Sequence, residues 1–225
     1  VSGLTVNQAQ MSLISRNVAN SGTVGYTRRV LTTQETSATG ITAGAVRQVS
    51  VDRILDQLLQ KQLRTEAGGA SYSSTRGDYL QRVDSLFGQP GSAAGLNTIF
   101  SKFSTAVQQL AADPASPTTR SNTLAQAQSL ASTLNNLSEN VQLMRGEIEA
   151  KISDQAQQVN SLLESIETTT TKLNQTFDSA TRAGLLDERD KAIDKLSTYF
   201  DLRTFDNGAG NFNIYTTNGG PLFVE

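Results

Sequence analysis

The chain has 225 residues, with 19 Lys+Arg against 21 Asp+Glu, a formal net charge of −2, and no His, Cys or Trp. Without His or Cys there is no zinc finger, no haem or iron–sulfur ligation, no Ser-His-Asp triad, no Cys nucleophile and no disulfide. The charge balance argues against general nucleic-acid binding. No apolar run reaches the roughly 18–20 residues of a membrane span, and Val1–Ser21 lacks the basic start and apolar stretch of a cleavable signal peptide.

Charge is unevenly spread. Residues 1–64 carry Arg16, Arg28, Arg29, Arg47, Arg53, Lys61 and Arg64 against Glu35, Asp52 and Asp56, a surplus of +4; the rest holds 12 basic and 18 acidic residues, a deficit of −6. The basic residues are scattered, so an assembly in which positive parts meet negative parts of a neighbouring copy fits better than a nucleic-acid arm.

Leu4, Met11, Ile14 and Val18 recur at steps of seven, three and four, one apolar stripe on a helix that stops near Asn20-Ser21-Gly22, with Gly22 as the left-handed stop. So narrow a stripe is marginal alone in water and asks for a partner helix. Tyr26–Thr32 and Val46–Val51 have β-type composition, with Gly40 and Gly44 between them, and read as two extended segments of a long hairpin. Asp52 then opens a helix carrying Leu55, Leu58, Leu59 and Leu63, interrupted near Gly68-Gly69 or running past it to Phe87, and Gly88-Gln89-Pro90-Gly91 breaks it.

Leu96, Ile99/Phe100, Phe103, Val107 and Leu110 follow in steps of three and four, a coiled-coil-like seam. Asp113-Pro114 and Ser116-Pro117 each place a capping side chain before a Pro at the first helical position. The longest element comes next: Leu124, Leu130, Leu134, Leu137, Val141, Met144, Ile148, Ile152, Val159, Leu162, Ile166, Leu173 and Phe177 line one face, with a stutter at Ile148→Ile152 and a stretch prone to bending at Thr168–Thr171. Roughly 60 residues of helix make a rod of about 90 Å, so the expected fold is mainly α: an elongated bundle of long coiled-coil-like helices. A break at Ala183-Gly184 precedes a short helix opened by Leu185–Asp190. Strands follow at Leu202–Phe205, Asn211–Tyr215 and Leu222–Val224, with turns at Asp206–Gly208 and Asn218–Gly220. Three strands at the end of a chain are unstable alone, so it reads as cut inside a β domain. The resulting division is 1–50 N-terminal assembly helix and connector, 51–200 long-helix rod, and 201–225 the beginning of a β domain.

Few residues invite chemistry. Asp187 shares a helix face with Asp190 or Asp194, the spacing of a cation site or an acid/base pair. The plainer reading is that Arg189, Lys191 and Lys195 interleave with these acids in solvated ion pairs. Gly208-Ala209-Gly210 has no helix after it, and Gly91–Gly95 lacks the Lys-Ser/Thr of a phosphate loop. Neither an enzyme nor a cofactor site is expected.

One string is specific. Ser2-Gly3-Leu4, Gln8-Ala9, Ser15, Asn17-Val18-Ala19-Asn20 and Thr23-Val24-Gly25-Tyr26-Thr27-Arg28 resemble the N-terminal signature of the bacterial flagellar rod, hook and hook-associated proteins. Arg16 and Val18 depart from it, standing where Asn and Ile are usual. Val49–Arg53 with Asp56 and Gln62–Arg64, Ala112–Ala115 with Arg120, and Leu185–Asp190 are similar, in order, to the hook-associated protein 1 family. That resemblance implies a structural adaptor at the hook–filament junction, exported by the flagellar type III path without a cleavable signal and located outside the cell. Its implied partners are neighbouring copies of itself, the flagellar hook protein, the next filament-side junction protein and an export chaperone, with the N-terminal helix paired to a C-terminal one. The signature residues are then Ser2, Gly3, Leu4, Asn17, Ala19, Asn20, Thr23, Gly25, Tyr26 and Arg28. The assembly face is Leu4, Met11, Ile14 and Val18. Rod packing falls to Leu96, Phe100, Phe103 and Val107 with Leu134, Leu137, Val141, Met144 and Ile148. A hook or rod component, or from another class a coiled-coil stalk or adhesin, are the alternatives.

Overall fold

The computed structural model describes residues 2–36, 45–89, 91–206 and 212–224. The chain is mainly α with long helices, with strands near its N-terminal and C-terminal ends: α1 (Ser2–Ala19), β1 (Arg29–Thr36), β2 (Ala45–Arg53), α2 (Gln57–Phe87), α3 (Leu96–Ala112), α4 (Pro117–Gln175), α5 (Ser179–Leu196), β3 (Leu202–Asp206), β4 (Phe212–Thr216) and β5 (Pro221–Phe223). Contacts gather these elements into two units, Val1–Ser71 with Gln157–Glu225, and Tyr72–Ala156.

In the first unit β1 and β2 form the expected hairpin, antiparallel from Arg29↔Arg53 to Thr36↔Ala45, with a register shift between Thr32 and Thr33. Gly40 and Gly44 lie outside the described residues. Val51 on β2 is buried, as are Val6 and Leu13 on α1, so α1 turns one face to the hairpin. Gly22 is not a left-handed stop: α1 ends at Ala19, and the positive φ falls at Gly25, in a separate turn beyond the helix. Tyr26 N–H bonds back to the Thr23 carbonyl at 3.1 Å, and Gly25, at φ 76°, takes the third position of that turn, where φ is positive.

Asp52 does not open α2. It stays in β2, and Asp56 caps the helix instead, its carboxylate accepting from the N–H groups of Leu58 and Leu59, both at 3.0 Å. The helix passes through Gly68-Gly69 without a break. A Cβ at Gly68 would sit 2.8 Å from an Asp201 carboxylate oxygen and 3.0 Å from the Ser197 carbonyl, so glycine there allows a close approach to the end of α5.

α5 also starts earlier than expected. Asp178 accepts from Thr181 N–H at 2.7 Å, and the helix runs through Ala183-Gly184. One interior Gly costs about 1 kcal/mol, less than tertiary packing of the buried Ala183, Ala192, Ile193 and Leu196 supplies. Thr168–Thr171 does not break α4: Thr169 and Thr170 are buried, so tertiary packing outweighs weak propensity, and their hydroxyls are satisfied by the carbonyls of Ser165 and Ile166, both at 2.7 Å. Phe177 is no part of the α4 stripe, since the helix ends at Gln175 and Phe177 is 93% exposed.

The C-terminal strands form an antiparallel sheet in the order β3-β4-β5. It does not stand alone. Phe212 and Ile214 of β4 close one core with Val159 and Ile166 of α4 and Ala192, Ile193 and Leu196 of α5, which supplies the helix packing that a small sheet requires. Residues 207–211, including Asn207-Gly208 of the first expected turn, lie outside the described residues; Gly219 of the second has φ 85°.

The second unit holds the end of α2, α3 and the first part of α4. Ser116 caps α4, its hydroxyl accepting from Thr119 N–H at 3.4 Å. Asp113 instead follows the end of α3, its N–H bonded to the Gln109 carbonyl, so only the Ser116-Pro117 pair opens a helix. Ala106 and Met144 are buried, Thr123 donates to the Ala106 carbonyl at 3.0 Å, and Arg82 meets Glu147 at 2.6 Å.

Candidate functional site

The acids of α5 decide how the N-terminal segment is held. Asp187, Asp190 and Asp194 fall at steps of three and four, which puts them on one helix face. Opposite them stand three arginines from three elements. Arg29 of β1 reaches Asp187 at 2.7 Å; Arg53 of β2 lies 3.0 Å from Asp187 and also pairs with Asp190; Arg64 of α2 meets Asp190 at 3.2 Å and Asp194 at 2.6 Å. The result is an alternating ladder, Arg29–Asp187–Arg53–Asp190–Arg64–Asp194. Its Asp187 end is buried, with that side chain 6% exposed, and its Asp194 end is 45% exposed.

Two of the three interleaved cations expected to partner these acids are engaged elsewhere. Arg189 pairs with Asp206 at 2.9 Å and stacks over the Phe212 ring at 3.9 Å, and the Lys191 stem crosses Gly25, where a Cβ would collide with it. Part of the N-terminal positive surplus is thus met within the chain. Setting aside three cations and three anions leaves +1 in residues 1–64 and −3 beyond, so the asymmetry is largely intramolecular rather than held for a neighbour. Sequence pattern does not single out the three arginines; the signal it does carry is the opposite charge of the two regions together with the one-face spacing of the acids.

A second fastening joins α1 to β1. The Asn17 side chain accepts from Tyr26 O–H at 2.8 Å and from Arg29 N–H at 3.1 Å, and donates to the Arg29 carbonyl at 2.9 Å. The Arg29 guanidinium lies 5.1 Å from the centre of the Tyr26 ring. Asn20 donates to the Arg16 carbonyl at 2.9 Å, Thr23 bonds to Asn20, and the Arg28 carbonyl accepts from Ile54 N–H at 2.8 Å. Ser2, Gly3 and Ala19 are exposed. Most of the signature string therefore ends α1 and turns the chain into β1. Nearby, the hydroxyl of Thr32, and after it that of Ser50, holds the exposed Asp52 carboxyl below its ordinary range.

The arm so held leaves one side open. Leu4, Met11, Ile14 and Val18 are all between 55% and 68% exposed, opposite the face that buries Val6 and Leu13. Ile14 and Val18 border a groove of about 790 Å³, with Leu13, Tyr26, Val30 and Leu31 also along it. The residues assigned to rod packing divide: Met144 is buried, Leu96, Phe103, Leu137 and Ile148 are partly covered, and Phe100, Val107, Leu134 and Val141 are exposed. Among the described residues no group of three or more acids is arranged to hold a metal ion, and no helix is long and apolar enough to cross a membrane.

Residues 80–225 match the family described as the flagellar hook-associated protein FlgK helical domain. The chain is 28% identical over 238 residues to flagellar hook-associated protein 1 of Bacillus subtilis, covering 99% of this chain and 46% of that protein. It is 24% identical over 233 residues to the protein of the same name in Salmonella typhimurium, with 99% and 41% covered. It thus spans less than half the length of these curated relatives. The solved structure of the flagellar hook junction protein FlgK from Burkholderia pseudomallei superposes with a TM-score of 0.64 at 25% identity, over 72% of this chain and 28% of that one. The long helices, the strands at either end and the ordered match together place this chain in the FlgK helical-domain family of flagellar hook-associated proteins.

Proposed function

We propose that the chain serves as a structural adaptor at the hook–filament junction of the bacterial flagellum, outside the cell, with no catalytic activity and no cofactor. The observation that carries this reading is the open apolar face of α1, Leu4, Met11, Ile14 and Val18, on an arm clamped to α5 in a chain of this family. An exposed stripe of that size asks for a protein surface, and a lattice of copies supplies one through heterologous contacts that do not close on a pair.

Residues 1–50 act as assembly helix and connector, 51–200 as the long-helix body and 201–225 as a β segment. Leu96, Phe100, Phe103 and Val107, with Leu134, Leu137, Val141, Met144 and Ile148, pack the long helices within and between copies. The partners are neighbouring copies, the hook protein, the filament-side junction protein and an export chaperone that delivers the full-length chain to the type III path. Full-length protein added to hooks that lack it restores filament growth, and Leu4→Asp with Met11→Asp reduces that restoration. Failure of the unaltered protein to bind hook tips overturns the reading.

A further inference from the structure

Arg29 and Arg53 are direct cross-strand partners. Two like charges facing each other across a strand pair destabilise it, and these two stand where the hairpin joins the rest of the chain. What separates them is Asp187, an acid of another element 158 residues away from Arg29, in contact with both guanidiniums. The pattern repeats at the next rung, where Asp190 lies between Arg53 and Arg64. Each interior charge of the ladder is therefore shared by two of the opposite sign.

Sharing makes the ladder sensitive to position in a way that three separate pairs are not. Sliding the hairpin by one turn, about 5.4 Å, toward the end of α5 leaves Asp187 without a cation in a site that is 6% exposed. Sliding it the other way carries Arg29 past Asp187, the first acid of the ladder, and takes Arg53 from Asp190. Buried charges without partners are strongly unfavourable, whereas a fully paired buried network adds little net stability over an apolar one. We propose that the ladder is a register lock. Arg53, which among the ladder's arginines alone meets both Asp187 and Asp190, is a positioning residue that admits one placement of the α1–hairpin arm on α5 and so aims the open face of α1.

Two further contacts select the same placement. Val51 N–H, two residues before Arg53, donates to Ser179 Oγ at the start of α5 at 2.9 Å. The Lys191 stem lies across Gly25, the glycine of the turn between α1 and β1. Both are single neutral contacts, worth about 1 kcal/mol or less each, so they favour this placement without replacing the central rung of the ladder. The lock rests on the proposed function only for its purpose, since what it aims is the assembly face.

The test replaces the central pair by apolar residues of similar size, Arg53→Met with Asp190→Leu. The pairs Arg29–Asp187 and Arg64–Asp194 remain, and no buried charge loses its only partner. The full-length protein, with cysteines only at Asn7→Cys and Lys195→Cys, both exposed, carries two spin labels whose separation is measured by pulsed dipolar spectroscopy. In the otherwise unaltered protein one narrow distance is expected. In the double variant the thermal midpoint is retained while the distribution broadens or gains a second peak displaced by about one helical turn. A single unchanged narrow peak overturns the lock. Arg53→Lys keeps the charge but reaches only one carboxylate at a time, so it broadens the distribution less. If the double variant does not fold, an unchanged narrow peak in Arg53→Lys overturns the lock in its place. An arm in register a tenth of the time binds hook tips about tenfold more weakly. Failure of the unaltered protein to bind hooks removes the function while leaving the spin-label result intact.

Discussion

The two units of this chain use the same ion-pair chemistry to opposite effect. In the unit containing both ends of the chain, Arg29, Arg53 and Arg64 meet their aspartates across 126–158 residues of sequence, with Asp187 shut away from water. In the three-helix unit Arg82 and Glu147 meet at 2.6 Å on the surface, their side chains 49% and 55% exposed. Close approach is common to both places: Arg29 to Asp187 at 2.7 Å and Arg82 to Glu147 at 2.6 Å. The difference is solvent: an exposed pair is screened and contributes about 0–1 kcal/mol, while an unpaired charge inside the ladder has no water to turn to. The unit that holds both chain ends therefore depends on the buried members of its ladder, and the helical unit depends far less on its surface pair.

Truncating one charge in each unit exposes that contrast most directly. Asp187→Ala takes from the mostly buried Arg29 its ladder acid and from Arg53 one of two, and is expected to destabilise its unit by about 3–5 kcal/mol, whereas Glu147→Ala stays within about 1 kcal/mol. Urea titration followed by hydrogen exchange in the hairpin and in α3 separates the two, and equal losses refute the distinction. Apolar truncation extends the ranking. Ile166, fully buried in the α4–α5–sheet core, is expected to lose about 2–5 kcal/mol as Ile166→Ala. Met144→Ala falls at the lower end of that range, because Met144 and Ala106 are the buried apolar residues described for its unit. A larger loss at Met144 reverses the order.

Smaller effects test the fastening of α1. Asn17→Ala leaves Tyr26 O–H and Arg29 N–H without their shared acceptor, which costs about 1–3 kcal/mol where such groups are buried. With both half-buried here the expected loss is toward the lower end, with faster hydrogen exchange confined to α1 and β1. The smallest effect is acid dependence at the α5 cap. Thr181, through its hydroxyl and then its N–H, holds the Asp178 carboxyl below its ordinary value of about 3.9. The unfolded chain then takes up the proton first, so the stabilisation is complete above about pH 3.9 and disappears as pH falls through the lower folded value. Asp178→Asn caps without titrating and flattens that part of the pH profile; an unchanged profile sets the cap aside.

Legibility follows the range of the interaction that decides each feature. The apolar stripe of Leu4–Val18, the hairpin, the stop at Gly88 and the Ser116-Pro117 start are local patterns of spacing, composition and turn chemistry, and each is readable in the sequence. The helix starts expected at Asp52 and near Gly184 lie elsewhere because a capping aspartate stands a few residues away, at Asp56 and Asp178. The four-threonine stretch looks like a weak point because propensity ignores the tertiary packing that buries Thr169 and Thr170. The signature string identifies a kinship but not the job of its members, since the clip from Asn17 to Tyr26 and Arg29 closes only when α1 lies beside the hairpin.

Composition and periodicity alone establish a mainly helical chain without His or Cys, with an apolar α1 stripe in need of a partner and a charge imbalance between its first 64 residues and the rest. Where that imbalance goes is settled only by how the elements pack. Local pattern records how a residue sits on its own helix or strand, and the acids of α5 show there as solvated surface. Whether they face water or three arginines depends on chain segments more than 120 residues away, and that proximity arises only from the tertiary fold.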